Sequence, residues 1–584
     1  MNTFRIKKKT GTYAELLEAY GLANLLSRIF DSTNFSDTEI LIKDKDLYYE
    51  IITSNPITDE ILENTHYFPI FKFIKQKEDS NVCQYSDYYD YPVQKKWKNE
   101  KQNLLLHIFK DYKGKENKNE RERRINEVER IFDREKHLDV ELDVYSQISS
   151  PNNFSSFEKL FQNIFVNKTH FSRFIKEIVL FYGNDNYIDE EFDKLVKDLT
   201  FTKKVTATQL YNPNQGQGLN KLKADGLNRI NFYSLWICEC MKISGALSDM
   251  ICQKVKVGNS YDMKVFVPEY KEVNYHFKSY LLPNFKKHLK GNTPIKIDIL
   301  NILLLSQTVI EHSSFMGRRK KVKDIVLGLH SVYQKDLGKN KAVVNIGFIQ
   351  VPSFIEISNK NENQIWIDIL KEQRQIVGNI NELGDTTSGL LLYRNFISGS
   401  DLNCFLKFMH WYAIYLTSQL SNKKYTRSFS IETLNKFYKC MDTNELKLSE
   451  IILNVGFKAV AGAIRKSTVT LQYTPKENRM YDIRYGVAQT LQNKSKSKED
   501  LAEFIGEFIA LYNSETARQA EKTGSSFRTN VREDELAEFY TLLDNAQSSK
   551  LIGALLASYG FALSAKKVNQ EDSELEMLEI SEEE

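Results

Sequence analysis

The 584-residue sequence has little of what most enzyme chemistry is built from. Its six cysteines are Cys83, Cys238, Cys240, Cys252, Cys404 and Cys440, and none forms a C-x-x-C pair. That removes the usual zinc-ribbon and dithiol arrangements. The nine histidines show neither H-x-x-x-H spacing nor a His-Asp pair, so no helical zinc site and no phosphohydrolase centre is announced. The phosphate-cradling G-x-x-x-x-G-K-[ST] loop, H-E-x-x-H, G-x-S-x-G and a Gly-Gly-Asp-Asp palm signature are all missing. Carboxylates scattered along the sequence could still converge in three dimensions, which leaves room for a divergent nuclease. No run of 18 apolar residues occurs, so no membrane span is expected. Residues 1–9 are polar and basic without an apolar h-region, which points to a cytoplasmic protein.

What is present is a large, soluble-type composition. It is 41% hydrophobic and 27% charged, enough for a buried core and for two to four domains at this length. Aromatic residues make up 12%. The net charge of +3 conceals an asymmetry: residues 571–584 hold eight acidic side chains and no Lys or Arg, which leaves the rest at +11. A basic body is suited to a polyanionic partner, and a well-solvated surface is the competing reading.

Apolar spacing predicts an amphipathic helix over 13–30, through Leu16, Leu17, Tyr20, Ala23 and Leu26, and a hairpin near 39–48. Segment 94–124, with 11 basic and 5 acidic residues, reads as a mobile insertion or nucleic-acid arm. Helical structure is expected over 154–182, β-structure over 254–275 around Gly258-Asn259-Ser260, a helix over 322–333 and β-structure over 342–357. Cys238, Cys240 and Cys252 can be argued as metal ligands. However, 232–251 reads as a buried apolar helix, in which a thiol acts as a small core side chain, so no metal or other cofactor is expected.

After Ser398-Gly399-Ser400 the pattern becomes helical, with Asp401 as an N-cap and Ser497-Lys-Glu-Asp500 opening another helix. The expected fold is therefore an α+β N-terminal region (1–399) followed by an all-α C-terminal helical bundle (400–569) and an acidic, disordered tail (570–584).

Three stretches have the chemistry to hold nucleic acid. The first is the loop Tyr211-Asn-Pro-Asn-Gln-Gly-Gln-Gly-Leu-Asn-Lys-Leu-Lys-Ala-Asp225. Gly216 and Gly218 permit close backbone approach. Asn212, Asn214, Gln215, Gln217 and Asn220 can read base edges, and Lys221, Lys223 and Arg229 can meet phosphates. An ordinary surface turn is the alternative. The second is Arg318, Arg319, Lys320 and Lys321, followed by Lys323, either a phosphate track or a solvated face. The third lies in the bundle, where Arg465, Lys466, Arg479, Arg484, Arg518, Arg528 and Arg532 could line one face and track a single strand, with internal salt bridging as the competing account.

Taken in order, the Tyr13-to-Leu26 helix, the Asn212-to-Asn220 loop, Phe405-Leu-Lys-Phe-Met-His-Trp-Tyr-Ala413, Tyr481-Asp-Ile-Arg-Tyr-Gly-Val-Ala-Gln489 and a helical C-terminus resemble the large subunit of a type I CRISPR Cascade complex, nearest the I-B and I-A groups. The resemblance is spread over most of the chain, and no single motif carries it. Some relatives have paired C-x-x-C zinc motifs that are absent here. The resemblance implies a non-catalytic subunit at the crRNA 5′ end, beside backbone and small subunits, that recognises the protospacer-adjacent motif in double-stranded DNA and starts unwinding. It implies a small-subunit-like C-terminus steadying the displaced single strand, and recruitment of a separate helicase-nuclease or of transposition proteins. In related systems a separate small subunit starts inside the large-subunit message, and Met480 is the candidate start here. A nuclease with an unrecognised active site and a protein-only adaptor are the rival functions.

Overall fold

The computed structural model describes the chain except for residues 69, 72, 76–87, 113–116, 135–167, 189, 200–202, 215–232, 313–319, 339–340, 475, 525–527 and 564–584. The chain forms two compact units, Met1–His288 with Asp324–Ile349, and Leu289–Lys323 with Gln350–Glu584.

The first unit contains two four-stranded antiparallel sheets. In one, strand Thr3–Lys7 pairs with Tyr48–Thr53, which pairs with Ile40–Asp44, which pairs with Glu272–Asn274. The hairpin expected near 39–48 is the second of these pairings, and its turn places Asp46 at φ 59°. In the other sheet the order is Lys341–Gln350, Val326–Asp336, Ser260–Tyr270, Ile251–Val257, with Gly258 at φ 59° in the tight turn. Segment 322–333, expected as a helix, is instead a 3-10 turn followed by strand Val326–Asp336. Val326, Leu329 and Val332 recur every three residues, as on a helix, because this inner strand is buried on both faces and so lacks period-two alternation.

Helix Ala14–Asp31 is buried along nearly its whole length and crosses helix Trp236–Asp249 at two glycines. A Cβ at Gly21 would lie 1.8 Å from the Met241 carbonyl oxygen, and one at Gly245 would lie 2.0 Å from that of Leu17. Only hydrogen at both positions allows the backbones to meet. Cys238 and Cys240 sit in this core, where burial pushes both thiols up. Segment 94–124 is helical over much of its length rather than an open arm. Helices Tyr91–Asp111 and Lys118–Arg134 pack together, with the Trp97 and Phe132 rings 5.1 Å apart.

The second unit is mostly helical. Helices Pro294–Glu311, Lys360–Asn379 and Thr387–Gly399 pack with the long run from Leu402–Ser421 to Ser549–Gly560 around an aromatic core of Tyr393, Phe396, Phe405, Phe408 and Phe437. Asp401 caps its helix by accepting from the Asn403 N–H at 2.9 Å, and Ser497 does so from that of Asp500 at 3.1 Å. The chain is thus α+β in its N-terminal part and helical in its C-terminal part. The units do not divide at 399/400, however. Ser400 is a left-handed helix cap (φ 52°) whose hydroxyl accepts from the Ser353 N–H, so this stretch is a turn inside the second unit. The acidic tail lies outside the described residues. No helix among the described residues is long and apolar enough to cross a membrane.

Candidate nucleic-acid interface

The second unit holds an open groove of about 540 Å³ between segment 479–485 and the C-terminal half of helix Lys498–Thr523. Arg479 folds its segment back: its Nε donates to the Thr474 carbonyl at 2.8 Å and its Nη2 to that of Gln472 at 3.2 Å. The Arg484 N–H donates to the Ser467 carbonyl at 3.0 Å, pinning the other end.

Beneath the groove lies Arg528, its side chain 3% exposed. Its guanidinium sits 3.7 Å from the Tyr481 ring centroid and 4.1 Å from that of Tyr512. It donates to Thr516 Oγ1 (2.8 Å), the Tyr512 carbonyl (3.1 Å) and Glu515 Oε2 (2.9 Å). Arg484 donates to the other Glu515 oxygen at 2.7 Å. Burial alone would raise the Glu515 carboxyl, but the hydrogen bonds from Arg528 and Arg484 outweigh it and hold the group below the usual carboxylate range.

Glu515 is therefore a neutralised acid in the groove wall. Arg518 and Lys522, one and two turns further on, are exposed and make no ion pair within 4 Å among the described residues. Like charges at i,i+4 face each other and cost about 0.2–0.5 kcal/mol, so the pair is poised for an anion. Opposite stand Met480 and Tyr485, both nearly half exposed. Tyr485 also borders an adjoining hollow of about 220 Å³ beside Thr417 and Ser418. The groove thus combines cations with an exposed ring and thioether, the pairing that suits phosphates and unstacked bases. Among the described residues Asp482 is the one other carboxylate lining it.

The other expected residues fall differently. Arg528 and Arg484 are committed to Glu515. Arg465 Nε donates to the Tyr559 carbonyl at 3.2 Å, and burial lowers its guanidinium pKa. Lys466 donates to Thr529 Oγ1 at 3.1 Å, its ammonium pKa lowered by burial and by Arg465 and Arg528. Arg532 is exposed but paired with Asp534 and Glu535. The seven cations therefore do not share one face; Arg479 and Arg518 alone line the groove. Lys522, Tyr485, Met480 and Gln519 were not among the expected residues, although the Tyr481-x-x-x-Tyr485 spacing was a signal in plain view.

Asn212 is fully buried, not displayed on a loop. Its Nδ2 donates to both Glu239 oxygens (3.2 and 3.1 Å) and its Oδ1 accepts from Lys242 at 2.9 Å. Desolvation raises the Glu239 carboxyl in this pocket against the pull of Lys242. Asn212 is an anchor because a buried charge pair requires every hydrogen bond it can get. Asn214 is half-buried. Gln215, Gly216, Gln217, Gly218, Asn220, Lys221, Lys223 and Arg229 lie outside the described residues, as do Arg318 and Arg319. Lys320 and Lys321 form a short strand against Glu356–Ile357, and Lys321 lies 3.9 Å from Glu356.

Among the described residues no three His, Cys, Asp or Glu side chains gather as metal ligands. No protein-family model matches the chain, and no curated protein sequence matches it.

Proposed function

We propose that this chain is the large subunit of a type I CRISPR crRNA-guided surveillance complex, and that it grips nucleic acid without cutting it. The single observation that carries the binding part is the groove. Among the described residues Arg518 and Lys522 make no ion pair beside Tyr485, and Glu515 in the groove wall is paired with two arginines. Such a surface attracts a phosphate chain and stacks its bases without reading sequence.

In this reading the groove steadies the displaced single strand of an R-loop. The N-terminal part sits by the crRNA 5′ end and recognises the protospacer-adjacent motif in double-stranded DNA. Asn212, tied to Glu239 and Lys242, holds one end of the amide-rich loop, and motif reading falls to Gln215, Gln217 and Lys221. Base pairing with the guide reads the rest of the target. The partners are crRNA, target DNA, Cascade backbone and small subunits, and a separate helicase-nuclease or transposition proteins. The setting is cytoplasmic, and the chain has no catalytic residues.

The test is to purify the tagged full chain from its native host and sequence RNA that co-purifies. Short RNAs sharing a repeat-derived end are expected, together with motif-dependent binding of double-stranded DNA. Absence of such RNA overturns the reading. Magnesium-dependent cleavage of DNA by the pure chain would make it a nuclease instead.

A further inference from the structure

Each exposed sheet edge presents a row of backbone N–H and C=O groups able to pair with another chain, and proteins ordinarily blunt such edges with charge, proline or shortness. The described edges of the first unit follow that rule with one exception. Strand Thr3–Lys7 carries exposed Arg5 and Lys7, and Glu272–Asn274 is three residues long. The remaining two-stranded sheets among the described residues use strands of two or three residues. In the second large sheet, edge strand Ile251–Val257 carries exposed Lys254 and Lys256.

The opposite edge of that sheet, Lys341–Gln350, is ten residues long, and from 342 to 350 it has neither a charge nor a proline. Val344, Ile346 and Phe348 alternate and so share one face. They are 55%, 39% and 37% exposed, an apolar row where the other long edges place lysine or arginine. The strand is held from within: the Phe348 ring meets that of His330 at 4.9 Å, and Gly328 lies so close to the Ile349 carbonyl that a Cβ there would be 2.1 Å away.

We propose that Lys341–Gln350, unpaired on its outer side among the described residues, is a docking edge that receives an extended, uncharged, apolar-alternating strand from another protein chain. The backbone ladder selects a β-strand over any other ligand, and the Val344–Ile346–Phe348 row selects apolar side chains at every second position. Pairing with a second copy is not the occupant. Three partly exposed side chains fall well short of the roughly 800 Å² per partner that a stable dimer buries, whereas a strand tethered to a protein held elsewhere needs no such area. This inference stands apart from the nucleic-acid reading, and its test contains no nucleic acid.

The probe is a fluorescein-labelled ten-residue peptide alternating threonine and valine, titrated into the full chain and followed by anisotropy. Hydrogen exchange is read on the same samples. Saturable binding is expected, with amides of 342–350 slowing on peptide addition. The double variant Val344→Lys, Ile346→Lys should bind at least about tenfold more weakly with an unchanged melting temperature, since both side chains are exposed. A proline-substituted peptide should not bind. Absence of binding, equal binding by the double variant, or protection elsewhere on the chain overturns the proposal. So does a wild-type dimer in sedimentation that Val344→Lys dissociates, because the edge would then belong to a second copy.

Discussion

Removing Arg518 and Lys522 together tests the groove most directly. Both are exposed, and each is placed to meet one phosphate. On single strands each phosphate contact contributes about 0.7 to the slope of log K against log salt. The variant Arg518→Ala, Lys522→Ala should therefore flatten that slope by about 1.4. If the contacts act only by releasing counter-ions, affinity should fall about 25-fold at about 0.1 M salt and only about 4-fold at about 0.4 M. Folding should not suffer, because the change relieves a like-charge i,i+4 pair and is worth at most a few tenths of a kcal/mol in favour of the variant. The assay is anisotropy of a labelled oligothymidine across a potassium chloride series. Arg532→Ala is the control, since that guanidinium is occupied by Asp534 and Glu535 and should leave the slope unchanged. An unchanged slope in the double variant, or an equal loss at every salt concentration, would refute the reasoning. A flat salt dependence in the wild type would favour a protein-only adaptor.

Three further outcomes follow from the packing. Burial raises the Glu372 carboxyl from an ordinary 4.5 to about 7, although it accepts the Ser430 N–H at 2.9 Å. The folded state then binds the extra proton, so this group's contribution is intact below pH 4.5 and is lost as pH rises through 7, by up to about 3 kcal/mol. Urea midpoints measured from pH 4.5 to 8 should show that decline in the wild type and less of it in Glu372→Gln, whose amide oxygen can still accept from Ser430. Gly245→Ala drives a methyl group into the Leu17 carbonyl and should cost about 3 kcal/mol, read by denaturant unfolding; a loss below about 1 kcal/mol would mean that the two helices slide apart freely. A product beginning at Met480 keeps helix Ser549–Gly560, buried at every residue except Lys550, but lacks helices Leu402–Ser421 and Val455–Ser467 that it packs against. Expressed alone, that fragment should give no cooperative thermal transition by circular dichroism, and a sharp one would show that it folds without them.

Local pattern alone was enough for several elements. The Ala14–Asp31 helix, the hairpin around Asp46, the turn at Gly258 and the caps at Asp401 and Ser497 are all written within a few residues, because capping and turn chemistry are short-range. The α+β then helical order was legible for the same reason. Strand Val326–Asp336 was not, because burial on both faces erases the alternation that marks a strand. Nor was the unit boundary, since helices early and late in the chain share one core.

The candidate site divides along the same line. Composition specified that arginine and lysine abound in the bundle. Tertiary structure decided which of them are free to act. Arg528 lies between two tyrosine rings, Arg465 on a carbonyl and Arg484 on Glu515, while Arg518 and Lys522 face solvent. Likewise, Asn212 looked like a loop amide until Glu239 and Lys242, 27 and 30 residues away, turned out to claim it. A side chain's charge is set by its identity, but whether that charge is available to a partner depends on which distant groups the fold brings within hydrogen-bonding distance.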